Sequence, residues 1–152
     1  MALRNDLVLL GQVLLSFVIG ALIGLEREFR RSPAGIRTYA AICMGACVFG
    51  LASTHPVILP GYTYSMDTTR IAAQVASGVG FIGAGVIFKE GMNMVGLTTA
   101  ATIWATAALG VVVSFGMYFV ALLTMILMLI LLSLPRIFHY KKPRKSTSHQ
   151  QQ

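Results

Sequence analysis

From Gly91 to Pro135 the chain carries no charged side chain, and within that stretch Val95 to Leu134 is 40 residues of almost unbroken apolarity. One helical crossing of a hydrocarbon core about 30 Å thick needs about 20 apolar residues. The stretch is twice that length. It predicts two helices folded back around Ser114 and Gly116, roughly Leu97 to Val113 and Met117 to Leu134. Three shorter apolar runs precede it: Leu7 to Leu25, Thr38 to Leu59 and Ile71 to Phe88. In lipid the backbone satisfies its own polar groups only as helix or closed barrel, and runs of this length select helix. The expected fold is an all-α, integral membrane bundle of five transmembrane helices.

The basic residues test that count. With five spans, one side of the membrane receives ten of the 12 Lys and Arg, among them Arg27, Arg30, Arg31, Arg37 and Lys89, and the other side only Arg4 and Arg70. With one span in place of the last two, the split becomes five against seven and specifies nothing. The positive-inside rule therefore favours five spans, the N-terminus outside and the C-terminus cytoplasmic. On this reading residues 1–138 are the transmembrane domain and 139–152 a basic cytoplasmic tail, expected to be disordered. The tail serves either as a topological anchor or as a contact for anionic lipid.

Composition excludes an ordinary soluble domain. Hydrophobic residues make up 56% of the chain and charged ones 11%, where a soluble domain has about a quarter charged. The net charge of +7 is explained by helix orientation, so no nucleic-acid partner is expected. Cys43 and Cys47 lie inside an apolar run, which argues against a secreted disulfide framework. No cleavable secretory signal is expected, because the first apolar run is long and is followed by charges.

Gly78, Gly80 and Gly83 have the G-x-G-x-x-G spacing of dinucleotide-binding folds. That fingerprint requires a strand turning into a helix and an acidic residue about 20 positions on. Neither condition is met, and no cofactor is expected. Helices in lipid instead associate through small residues that let backbones approach. Ser16, Gly20 and Gly24 recur every four residues in the first span; Ala72, Ala76, Gly80 and Ala84 do so in the third; Thr98, Thr102, Thr106 and Gly110 do so in the fourth. These stripes are expected to face one another. The alternative for the third span is a helix unwound at its glycines, as transporter helices are around ligands. The fifth span, almost wholly apolar, is expected to lie against lipid.

Four motifs together resemble the MgtC/SapB family of bacterial inner-membrane proteins: GALIGLERE at Gly20 to Glu28, AGIRT at Ala34 to Thr38, DTTRIAAQVASGVGFIGAGVIF at Asp67 to Phe88, and VGLTTAATIWATAALG at Val95 to Gly110. The resemblance implies a multi-pass plasma-membrane protein tied to growth in low magnesium, acid tolerance and, in some pathogens, survival inside host cells. It implies no single activity: some members are associated with magnesium transport, others with restraint of the ATP synthase or other membrane partners. The sequence stops at Gln152, short of the C-terminal cytoplasmic domain of longer members, so roles resting on that domain are not expected. Tyr39 stands where many relatives have His, and a proton role there is not carried over.

Several polar residues are functional candidates. Glu26, Arg27 and Glu28 close the first span; Glu26 either helps to hold a magnesium ion, which one or two carboxylates and retained waters can do, or joins an interfacial ion-pair cluster, with Arg37 as a possible partner across the first loop. Asp67 is the second metal candidate. It either caps the third span or forms with Arg70 and Gln74 a polar entrance on the outer face. Asn93 is a turn residue or a partner contact. His55, His139 and His149 fall in loops or tail, and no catalytic or zinc spacing occurs. The favoured reading is a non-enzymatic membrane protein acting through a homo-oligomer or other inner-membrane proteins, in contact with lipid; the alternative is an oligomeric ion carrier or channel.

Overall fold

The computed structural model describes residues 2–54, 68–90 and 93–134. In chain order it holds α1 (Ala2–Phe29), α2 (Ile36–Thr54), α3 (Thr68–Val86), a hairpin of β1 (Phe88–Glu90) and β2 (Asn93–Val95), α4 (Leu97–Ser114) and α5 (Tyr118–Ser133). Among the described residues, three helical segments are long and apolar enough to cross a membrane: Asp6–Phe29, Ile36–Thr54 and Leu97–Ser114. α3 carries Arg70 and Gln74 in its first two turns and does not reach that hydropathy; α5 is fully apolar in character but 16 residues long. Among the described residues there are five helices, and three of them have the composition and length of a span.

The fold-back within the long apolar run falls where expected. Gly116 takes φ 74°, and the N–H groups of Phe115, Gly116 and Met117 bond back to the carbonyls of Val111, Val113 and Val112. A left-handed residue that closes the last carbonyls of a helix is the usual role of glycine there. The segment Lys89 to Gly96, expected as a loop, is instead a small antiparallel ladder with Phe88 opposite Val95, Lys89 opposite Met94 and Glu90 opposite Asn93. Phe88, assigned from sequence to the third span, therefore belongs to β1, because α3 ends at Val86. Gly96, at φ 92°, turns the hairpin into α4 where any side chain would strike the Val86 carbonyl.

Successive helices run antiparallel. At one end Glu28 of α1 meets the start of α2, Ser32 meets Thr99 at the start of α4, and Arg30 meets Leu132 near the end of α5. At the other end Gln12 of α1 meets Val113 and Ser114 at the end of α4. α2 lies between α1 and α4, and the buried centre is built from Ile19, Ile23, Tyr39, Cys43, Ile103 and Val113. Small residues set the separations. A methyl group on Gly20 would lie 2.5 Å from the Tyr39 carbonyl oxygen and 2.8 Å from the Ala40 Cα, and one on Gly24 would lie 2.6 Å from the Ile36 Cα. Gly110 of α4 meets the Cys43 carbonyl in the same way.

Two packing expectations need correction. The stripe of α1 faces α2, whereas α3 packs against α4 and α2. Within α3 the buried face runs through Val75, Val79, Gly83 and Val86, with Gly83 over Ala100; Gly80 and Ala84 are exposed and Ala76 is half-buried. The reason is rotation: a step of four residues turns by about 40° beyond a full circle, so a strict four-residue stripe drifts off any straight contact line. On α4 the same drift leaves Thr98 exposed while Thr102, Thr106 and Gly110 are buried. α3 is continuous through its glycines, with no unwound turn.

Candidate functional site

Where α1 ends, the chain builds a polar cluster that ties four helices together. Its backbone frame is a tight stop: Arg31 adopts φ 54°, and the Ser32 N–H reaches back to the Arg27 carbonyl at 3.0 Å. This is the closure usually given to glycine, here made with arginine. Glu28 then bends across the loop so that its Oε2 accepts the Ile36 N–H at 3.1 Å. One of the free donors of the first turn of α2 is satisfied, and the carboxylate sits at the positive end of that helix.

Inward of this frame, Arg30 Nε donates to Glu26 Oε1 at 2.7 Å, one helical turn away, and its Nη2 donates to the Leu132 carbonyl at 2.7 Å. Arg27 Nη2 donates to Ser32 Oγ at 3.1 Å, and Ser32 Oγ shares a proton with Thr99 Oγ1 at 3.1 Å. Tyr39, fully buried, bonds through its hydroxyl to Thr102 Oγ1 and to the Thr99 carbonyl. The cluster thus runs from α1 through the loop to α2, α4 and α5. Each link satisfies a polar group that would otherwise be costly away from water.

The cluster is a poor cation site. One Glu26 oxygen is held by Arg30 and the other lies 3.8 Å from Arg27 Nη1. A carboxylate between two guanidinium groups has little charge left for a metal. Glu26 is not joined to Arg37, which is exposed on the first turn of α2. Among the described residues no three His, Cys, Asp or Glu gather where they could hold a metal ion. Asp67 and the tail lie outside the described residues.

The second feature is the outer side of α3. Arg70 and Gln74 are exposed one turn apart, and Asn93 is exposed on the hairpin beyond its far end. Between α2 and α3 runs an apolar groove of about 610 Å³, lined by Gly45, Phe49, Ile71, Gly78 and Ile82, with Gln74 at its polar point. None of the described residues lies within 4 Å of the place where a side chain would begin on Gly78, Gly80 or Gly85. Phe81 projects from the same helix at 84% exposure. Gly20 and Gly24 of α1 and Gly110 of α4 are filled by neighbours, whereas Gly78, Gly80 and Gly85 of α3, like Gly11 of α1, are bare among the described residues.

Sequence reasoning weighed Glu26 and Thr102 separately and missed Ser32, Tyr39 and Thr99 as their neighbours. The available signal was local: Glu26 and Arg30 stand four apart at a helix end, the spacing of a helical ion pair. Gln12 was also missed, although an amide inside an apolar run is itself a reason to look.

A family model described as the MgtC family matches residues 13–141. A curated relative, Protein MgtC of Salmonella typhimurium strain 14028s, is 48% identical over 118 residues, covering 77% of this chain and 48% of the relative. Protein MgtC of Brucella abortus strain 2308 is 47% identical over 102 residues, covering 67% of this chain and 40% of the relative. The chain spans about half the length, or less, of these relatives. No solved structure matches.

Proposed function

Because the chain belongs to the MgtC family, we propose that it is a non-enzymatic, multi-pass inner-membrane protein that serves magnesium homeostasis by binding other membrane proteins, through the bare glycine face of α3. The observation that carries this reading is the run of three bare glycines along one helix. Gly20, Gly24 and Gly110 are occupied by neighbouring backbone, while Gly78, Gly80 and Gly85 meet none of the described residues. A glycine surface that contacts none of the described residues offers an apolar partner helix the close approach that drives association in lipid. The apolar groove beside it, shared with α2, extends the same surface.

The proposed arrangement is five crossings with the Arg27 to Arg37 loop, the Lys89 hairpin and the C-terminus in the cytoplasm. The antiparallel run of the helices supports it, as does the concentration of basic residues at the end where Glu28, Ser32 and Arg30 meet their partners. The polar cluster is then a clamp at the cytoplasmic ends of α1, α2, α4 and α5 that fixes the bundle on which α3 is displayed.

Gly80→Leu and Gly20→Leu separate display from folding. Gly80→Leu is expected to leave membrane abundance unchanged and to abolish complementation of a deletion strain in low magnesium; Gly20→Leu is expected to reduce abundance. Normal low-magnesium growth of Gly80→Leu would remove the α3 face from the account.

A further inference from the structure

Of the helices joined at the polar cluster, α5 is held by the least. Its 16 residues bury one narrow line of side chains, Ala121, Met128 and Leu132, while the opposite surface is open: Phe119 is 90% exposed and Leu131 62%. It packs against α4 and α1. In lipid that apolar line contributes little by itself, because hydrocarbon tails are as apolar as a neighbouring leucine. Helices there are held by close backbone approach and by interhelical hydrogen bonds. α1, α2 and α4 have the first at Gly20, Gly24 and Gly110, each with neighbouring backbone where a side chain would start. α5 contains no glycine, and Ala121 is the small residue on its buried line.

Among the described residues, one hydrogen bond joins α5 to another helix: Arg30 Nη2 donates to the Leu132 carbonyl at 2.7 Å. The donor is charged, which makes such a bond roughly twice as strong as a neutral one. Its direction is set from behind, since Arg30 Nε donates to Glu26 Oε1 at 2.7 Å. At its other end α5 leaves the turn at Gly116, whose φ of 74° costs glycine no steric clash. A helix with a glycine turn at one end, an apolar face that lipid can replace and one charged bond at the other end has the parts of a hinged strap. Its motion is a swing about the turn that exchanges contacts with α1 and α4 for lipid.

We propose that α5 docks and undocks as a unit, with the Arg30 to Leu132 bond as its latch and Glu26 as the residue that positions the latch. Undocking uncovers the sides of α1 and α4 that α5 covers, so the latch sets how much of the bundle faces the membrane. The test is double electron–electron resonance on the full chain in nanodiscs, with spin labels at Phe29→Cys and Leu131→Cys, both exposed; Cys43 and Cys47 are fully buried and out of reach of the label. A second pair, Phe29→Cys with Trp104→Cys, reports on α1 and α4 alone. Arg30→Gln is expected to raise the population of longer Phe29 to Leu131 distances about tenfold, as for the loss of one hydrogen bond from a charged group, with the α1 to α4 distance unchanged. Arg30→Lys, which keeps a charged donor, is expected to return most of the docked distance. Ala121→Leu leaves Arg30 and Glu26 in place; it is expected to lengthen the same distance and carries the test if Arg30→Gln does not fold. A folded Arg30→Gln variant with the Phe29 to Leu131 distances of the unaltered protein would overturn the proposal, and so would an Ala121→Leu variant that keeps them.

Discussion

Gly20 and Gly80 are the same residue in two apolar helices with opposite surroundings. A methyl group at Gly20 meets the backbone of α2, which cannot yield, whereas one at Gly80 meets none of the described residues. Gly20→Ala is therefore expected to destabilise the purified protein by about 1–3 kcal/mol, the usual cost of overpacking. Gly80→Ala should be neutral or stabilising by about 0.5–1 kcal/mol, since it removes a flexible residue from a helix. Unfolding in mixed micelles measures both. Tyr39→Phe removes the hydroxyl that joins α2 to Thr102 and Thr99 and should cost about 0.6 kcal/mol, a typical value for polar contacts between membrane helices. At this scale the sequence was partly informative. The Glu26 to Arg30 pair is written in a spacing of four, but Ser32 and Thr99 meet across 67 residues of chain, a proximity that no local pattern encodes.

Helix ends were more legible than helix faces. The turn at Gly116 could be placed because a 40-residue apolar run has to fold and few of its residues favour a left-handed backbone. Gly116→Ala should accordingly cost about 1–2 kcal/mol, the penalty for a side chain in that conformation, with a matching fall in thermal midpoint and no change in topology. The hairpin after α3 was not legible, because Phe88 to Val95 is shorter than the windows in which strand and helix periods differ, and its apolar first residue reads as the tail of a span. The bare face of α3 was missed for a geometric reason. A stripe of small residues every four positions looks continuous in one dimension but winds around the helix, so Gly83 rather than Gly80 reaches α4. That error matters to function, since it changes Gly80 from a core contact into a displayed surface.

For the molecule as a whole, composition and the placement of Lys and Arg dictated a helical membrane bundle before any contact was known. What they left open was which helix is central: α1, α2 and α4 are all apolar, and it is α4, the most buried of them and packed against all four other helices, that takes the middle. The proposed topology predicts that a reporter active only outside the cytoplasm is silent when fused after Gln152 and active when inserted at Gly61; activity at the C-terminus would reverse the count of crossings. On the proposed function the protein works by association and carries no ion itself. The buried centre agrees with this, since Ile19, Ile23, Ile103, Leu109 and Val113 are at most 1% exposed and close the interior of the bundle. The most direct measurement is magnesium flux into liposomes that contain the purified protein alone and a magnesium-sensitive dye. The account predicts uptake no faster than in protein-free liposomes; saturable, protein-dependent uptake would contradict it.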